Sequence, residues 1–391
     1  MSIVITKQPT EWMFFGNPIQ LEMQGNSYQG DTDIPVNISI RVILYSSPTT
    51  KRVLRDFSFR VDPVAVPSRI LVEGVWTDFL YYNYATDIAD YVRCFENDET
   101  SDLKKGGMVE YTITIAQLDF TFTGYGLSGG FAKSVFTPAK FAAKFLSVLS
   151  NFLFTTRSNS DVLTYYRSEF VHLPFIAQLG HLYSLTTEDG TILQFINGDN
   201  KIREFFIDES ETVESTLYVC VDGAAIVQIN VLPDPISEQS HVLEFYNSYG
   251  FIERLLLSGE GRETPDIEKG ETYTRTINGS FRNLNNRGIL HEKVVLPTGY
   301  RSTDQLLFIR DLLVSDEVYY TLNNERRRCK VECGDYENAL RQVTPEGVTL
   351  TIDLLDDDNY VNPRGTITAG EYLQTEDAEP LLFENNNFIK L

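Results

Sequence analysis

The stretch that most constrains the fold runs from Ser240 to Gly261 (SHVLEFYNSYGFIERLLLSGEG). Val242, Phe245 and Tyr246 sit in a β-prone aromatic run, and Asn247-Ser248-Tyr249-Gly250 is a turn. The apolar run from Phe251 to Leu257 then ends at Ser258-Gly259. β-formers on both sides of a glycine that accepts positive φ predict strand, tight turn, strand.

The same grammar recurs along most of the chain. Val36 to Tyr45 and Val53 to Val61 alternate apolar and polar residues across a Ser-Ser-Pro turn and predict a long hairpin. Val109 to Phe122 predicts one strand, and Thr164 to Leu173 another, broken by Pro174. Asp189-Gly190 and Asp222-Gly223 predict further hairpins. Helical spacing is confined to short pieces: Asp87 to Val92 after Thr86, Thr137-Pro138 to Phe152, and Thr303 to Val314. The expected fold is therefore mainly β, with several antiparallel β-sandwich or barrel domains and a few short helices. A 391-residue chain is too long for one core. Polar or aperiodic stretches place the joints, giving 1–155 with a helix near 138–152, 156–262 including the Ser240 hairpin, and 263–391 with a helix near 303–314.

Composition narrows the function classes. A formal charge of −22 argues against nucleic-acid and anionic-membrane partners. The N-terminal MSIVITKQPTEW lacks the basic-then-apolar pattern of a secretory signal. The apolar stretch from Phe141 to Phe154 carries Lys144 and is too short to span a bilayer. Cytoplasmic synthesis is expected. Cys94, Cys220, Cys329 and Cys333 are too few for a disulfide framework, and Cys329 and Cys333 would share a strand face without bridging.

Searches for catalytic patterns return nothing. His172, His181, His241 and His291 lie far apart, and no GxSxG, HExxH, CxxC or phosphate-binding P-loop motif occurs. Gly124, Gly126 and Gly129 have GxGxxG spacing but follow an antiparallel-looking strand, with no helix opening inside the motif. A flexible turn is expected there rather than a nucleotide cradle. Asp356-Asp357-Asp358 lacks EF-hand spacing. No metal, cofactor or catalytic residue is expected, and the chain is read as a non-enzyme.

The candidate contact residues are aromatic and basic. Phe245, Tyr246, Tyr249 and Phe251 mark the Ser240 hairpin, where a partner surface and the chain's own core are the alternatives. Arg326, Arg327 and Arg328 stand together in an acidic chain, read either as a solvated turn or as a dock for a neighbour's carboxylates. Phe383, Phe388 and Ile389 in the acidic tail are further docking candidates.

Several phrases carry a family resemblance. TKQPTEWMFFGNPIQLEM at the start resembles the N-termini of tail-associated proteins of phages and prophages of Bacteroides-type bacteria. NFLFTTRSNSD, SEFVHLPFI, LEFYNSYGFIERLLLSGE and TGYRSTDQLLFIRDLLVSDEVYY are similar to the same group. The resemblance implies a virion structural protein, a tail, baseplate or distal-tail component. It would be assembled in the bacterial cytoplasm with other tail proteins, as a trimeric or hexameric ring around the tail axis. It brings no catalytic residues. Alternatives are a carbohydrate- or cell-surface-binding module, for which Trp12 and Trp76 are the only tryptophans, and a cell-wall or polysaccharide hydrolase.

Overall fold

The computed structural model describes residues 2–27, 35–45, 51–93, 108–132, 135, 137–207, 215–235, 240–277, 280–286, 288–299, 303–322, 325–334 and 347–355. Cys94, Asp356 to Asp358, and the tail residues Phe383, Phe388 and Ile389 lie outside them. The architecture is mainly β and multi-sheet, and among the described residues none of the sheets closes into a barrel.

The N-terminal unit is a sandwich. One sheet runs in the order Ser2–Lys7, Gln20–Ser27, Val75–Asp87, Val64–Val72. The other runs Trp12–Phe14, Phe120–Leu127, Met108–Ile115, Val36–Tyr45, Lys51–Val61. Alternation sends Ile38, Ile40 and Val42 inward against Leu21, Met23, Tyr82 and Tyr84. The Val36–Tyr45 pairing with Lys51–Val61 is the long hairpin its periodicity predicts.

The central unit has a five-stranded sheet in the order Val162–Tyr166, Ala224–Leu232, Ser215–Val221, Leu182–Thr187, Ile192–Asn197. It shares one core with the pair Val171–Ala177 and Lys201–Ile207. The last unit is a seven-stranded sheet covered by the helix Thr303–Val314, whose Leu306, Phe308, Ile309 and Leu312 pack onto it. That helix has the bounds its periodicity predicts. At the Asp222-Gly223 turn both residues take positive φ, 51° and 83°. This is the backbone that a two-residue hairpin of this composition requires.

Several expectations are corrected. The Ser240 hairpin does not complete the central unit: Ser240–Tyr246 pairs with Val318–Leu322, so both its strands belong to the seven-stranded sheet. Strand partners are chosen by edge complementarity across long separations, which periodicity does not report. The expected Val109 to Phe122 strand is two strands, split by a 3-10 turn at Ala116–Leu118 with Asp119 left-handed at φ 50°. The second of them, Phe120–Leu127, takes up Gly124 and Gly126, so these glycines are not in a loop. A Cβ on Gly126 would stand 1.9 Å from the Phe15 ring, and the missing side chain is what lets that ring lie over the strand. The Thr164 to Leu173 strand breaks at 167–170 instead of at Pro174, which lies inside Val171–Ala177.

The helix after Thr137 ends at Phe145 rather than Phe152. Beyond it the chain is irregular, with turns and bends, and Phe152 enters the central core while Phe154 enters a different cluster. Among the described residues two strand pairings are parallel, Trp12–Phe14 with Phe120–Leu127 and Val162–Tyr166 with Ala224–Leu232. Arg326, Arg327 and Arg328 lie in the strand Glu325–Glu332, not in a turn.

Candidate functional site

The three units meet beneath the Asn247–Gly250 turn, and nearly every buried charge in the chain's middle collects there. Alternation in Trp12–Phe14 begins the joint: Met13 enters the N-terminal core together with Phe15, while Trp12 and Phe14 point out of it. Phe14 is fully buried, with ring centroids 5.0 to 6.1 Å from Phe131, Phe141, Phe145, Phe154 and Tyr249. The Thr137-capped helix contributes Phe141 and Phe145. Edge and offset ring contacts of this kind add to plain area burial.

Main chain joins main chain at the same place. The Gly130 amide donates to the Ser248 carbonyl at 2.8 Å, and the Gly16 amide to the Gly129 carbonyl at 2.7 Å. Gly129 and Gly250 have φ of +129° and +84°, and a Cβ on Gly250 would be 2.3 Å from the Ser128 carbonyl oxygen. Gly250→Ala should therefore cost on the order of 2–3 kcal/mol and split one calorimetric unfolding transition into two, as the N-terminal sandwich separates from the rest. A single unchanged transition would contradict this account of the joint. Two buried asparagines fix the turns. Asn17 exchanges both amide bonds with Phe131, and Asn247 donates to the Phe154 carbonyl while accepting from the Tyr249 and Phe251 amides.

Below the turn lies an ion cluster. Arg157 is 7% exposed, with its Nη1 2.8 Å from Glu169 and its Nε 3.0 Å from Glu253; those carboxylates are 1% and 3% exposed. Its Nη2 donates to the Arg254 carbonyl, and its guanidinium lies 4.0 Å from the Tyr165 ring centre and 4.7 Å from that of Phe308. Glu253 also accepts from Thr155 at 2.6 Å and from Asn247 at 3.3 Å. Glu169 accepts the Leu256 amide at 2.7 Å and the Tyr166 amide at 3.0 Å. Burial pulls the Arg157 pKa down, but the charges of Glu169 and Glu253 raise it by more, so the guanidinium stays protonated. Burial pushes Glu253 up against Arg157, Thr155 and His172, which favour its ionised form. Arg157 and Glu169 belong to the central side and Glu253 to the hairpin, so the cluster bridges two sheets.

His172 bridges the same boundary. Its Nδ1 is 3.1 Å from the Ile252 carbonyl oxygen and its Nε2 is 2.8 Å from a Glu204 carboxylate oxygen. Both neighbours are acceptors, an arrangement that favours a proton on each ring nitrogen and so the imidazolium form. Burial lowers the His172 pKa, but the Glu204 bond and charge, the Ile252 carbonyl and Glu253 outweigh it, leaving the value raised. A raised folded-state pKa gives stabilisation that is complete below the unfolded value and lost as pH rises through the folded one. The urea midpoint should accordingly fall as pH rises from slightly acid to slightly alkaline, and His172→Gln should flatten that slope. An equal slope in the variant would remove His172 from the account.

Above the cluster an open hollow of about 310 Å³ is lined by Gly129, Asn247, Ser248, Asp311, Ser315 and Glu317, among others. Asp311 is already engaged, accepting the Ser248 amide and hydroxyl and the Thr156 hydroxyl. Among the described residues no group of three or more His, Cys, Asp or Glu is placed to hold a metal ion. Nor is any described helix long and apolar enough to cross a membrane. The paired acids Glu169 and Glu253 are buried and hydrogen-bonded. Chemically the arrangement clamps: most of its polar atoms answer one another, and the buried Ser128 hydroxyl on the wall of the hollow is left without a hydrogen-bond partner.

The contact residues expected from sequence are distributed differently. Phe245 is fully buried in the core of the last unit, and Phe251 stacks on Phe154 at 4.9 Å. Tyr249 packs among Phe14, Phe131 and Phe145, and the half-buried Tyr246 lines the hollow and accepts from Ser315 through its carbonyl. Of the hairpin aromatics, Tyr249 and Phe251 thus join the chain's own units, Phe245 fills the core of one unit and Tyr246 lines the hollow. Arg327 is buried against Glu292 at 2.6 Å, Arg326 bonds Glu244 at 2.8 Å and lies over the Tyr319 ring, and Arg328 donates to the Asp316 carbonyl. Strand alternation puts Arg326 and Arg328 on one face and Arg327 on the other. Motif reading missed Arg157, Glu169, Glu253 and Asp311, although all four fall inside the phrases quoted for the family resemblance, which converge on this joint. Compared with models of known protein families and with curated proteins, the chain matches none.

Proposed function

We propose that the chain is a non-enzymatic structural component of a phage or prophage tail or baseplate, acting through protein–protein contacts. The observation that carries this reading is the joint. Its buried ionic groups (Arg157, Glu169, Glu253 and His172) are used to weld sheets to one another, and an aromatic cluster locks a third unit onto them. Such a joint makes three β-rich units into one stiff body, the mechanical property an assembly part needs and a catalyst with a moving lid does not. The quoted N-terminal and hairpin phrases add the resemblance to tail-associated proteins.

The test is direct. Particles purified from a lysate of a strain encoding the chain should yield its peptides by mass spectrometry, in a ratio to the other particle proteins that fits a ring. Peptides confined to the soluble fraction, with none in particles, would sink the proposal.

A further inference from the structure

Between Arg262 and Val295 the chain runs out along one strand and back along another. Asp266–Glu268 pairs with Ile289–His291 and Thr272–Ile277 with Ser280–Asn285, and among the described residues neither pair joins a third strand. The inner part of this ribbon sets opposite charges across from each other: Lys293 Nζ lies 3.6 Å from Asp266, and His291 Nε2 lies 3.7 Å from Glu268. The outer part breaks that rule. Arg275 stands directly opposite Arg282, both are exposed, and neither has a carboxylate partner among the described residues. Like charges so placed lower the stability of a strand pair. Tyr273, 44% exposed, and Leu284 lie next to them on the same face. The other face is closed on itself, with Thr272 donating to Asn285 and Thr274 to Asn283, each at 2.8 Å.

These arginines run against the composition of the chain. Residues 272–287 hold three arginines and no acid, so in a chain of −22 everything else carries −25. A local rule broken with no compensation inside the chain marks a functional surface. What compensates two adjacent guanidinium groups is a set of carboxylates. A nucleic acid would offer phosphates, but the −25 of the remainder repels a polyanion.

The complementary surface is the hollow. Asp311, Asp316 and Glu317 line it, Asp316 is exposed, and among the described residues no Lys, Arg or His side chain pairs with any of the three. The Ser128 hydroxyl on the same wall is one more oxygen short of a donor. One copy cannot bring the two surfaces together. Ser240–Tyr246 and Lys293–Pro297 are four antiparallel pairings apart in the seven-stranded sheet, so they run in the same direction. The hollow lies past the C-terminal end of the first strand. The ribbon lies before the N-terminal start of the second, at the opposite end of the sheet.

Every copy therefore carries both surfaces in equal number, each unpaired and facing away from the other. We propose that the Arg275–Arg282 face of one copy docks on the Asp311, Asp316 and Glu317 hollow of a second copy of this chain. The two bodies repel as wholes, but at physiological salt that repulsion is screened beyond about 8 Å, while ion pairs in contact are not. Ribbon and hollow are different surfaces, so the contact is head-to-tail and closes into a ring where the rotation allows. The inference rests on the assembly reading and names its partner.

Sedimentation velocity of the full chain tests it, with circular dichroism confirming that each variant is folded. Wild type should form species larger than a dimer as its concentration rises. Arg275→Glu with Arg282→Glu should stay monomeric, and so should Asp316→Arg with Glu317→Arg, because each sets like charge against like. Mixed in equal amounts the two variants should assemble as wild type does, since reversed ribbon then meets reversed hollow and the unaltered pair also matches. Arg275→Gln with Arg282→Gln should be monomeric too, yet melt no lower than wild type, because the opposed charges are gone. A wild type that is monomeric at every concentration overturns the contact and leaves the ribbon to another acidic surface. Either reversed variant assembling alone, or a mixture that stays monomeric, overturns it as well. A chain that is monomeric here yet present in particles would sink this contact while leaving the assembly reading in place.

Discussion

Arg157→Met is expected to lower the stability of the chain by about 3–5 kcal/mol, the usual result of removing one partner from a buried ion pair. The size follows from what stays behind. Glu169 and Glu253 are almost wholly out of solvent and would face each other with no cation between them. The Arg254 carbonyl would also lose its donor, and the space between Tyr165 and Phe308 would hold a thioether. Arg157→Lys keeps the charge but not the planar fork that reaches two carboxylates and a carbonyl together, so it should recover only part of the loss. Combining Arg157→Met with Glu169→Gln and Glu253→Gln should be milder than Arg157→Met alone, because the uncompensated charge is gone. Urea unfolding curves check the series. An Arg157→Met midpoint indistinguishable from wild type would remove the cluster from any account of how the sheets are held.

Phe14→Ala should cost about as much, roughly 3–5 kcal/mol for a fully buried aromatic ring, but at a different place. Phe14 is flanked by five rings contributed by the 131–154 segment and the hairpin turn, whereas its neighbour Phe15 lies in the N-terminal core. Loss of Phe14 should loosen the joint and leave amides in Val36–Tyr45 protected from hydrogen exchange. Phe15→Ala should deprotect those same amides. Phe14→Leu, which keeps most of the volume, should cost markedly less. Equal loss of protection in both alanine variants would mean that the sandwich and the joint unfold as one, against the division of this strand between two cores.

The hairpin aromatics mark how far side-chain type alone can be taken. Phe245, Tyr249 and Phe251 have the character of contact residues; Tyr249 and Phe251 do make contacts between sheet-bearing units, but the units belong to one chain, and Phe245 lies inside the core of one of them. A ring that joins two domains and a ring that joins two subunits are chemically the same, so residue type cannot separate them. Trp76, Phe195 and Phe281, with no special setting in sequence, are among the rings left open. The Glu73-Gly74 turn beside Trp76, with both residues at positive φ, was legible by the same rule that found Asp222-Gly223.

By itself the sequence determined what is local: the β-rich class, the hairpin turns at Asp222-Gly223 and Asn247–Gly250, and the helix from Thr303 to Val314. Each of these depends on backbone preference and on periodicity over a few residues, and both can be read along the chain. Only the tertiary structure decided which strands share a sheet, and that Glu169 and Glu253, two acids among 55, meet Arg157. It also decided which aromatics are enclosed and which stand free. Those outcomes depend on separations of about a hundred residues closing to a few ångströms, as between Arg157 and Glu253. Partner choice at that range is a property of complementary surfaces, and no single stretch of chain carries it.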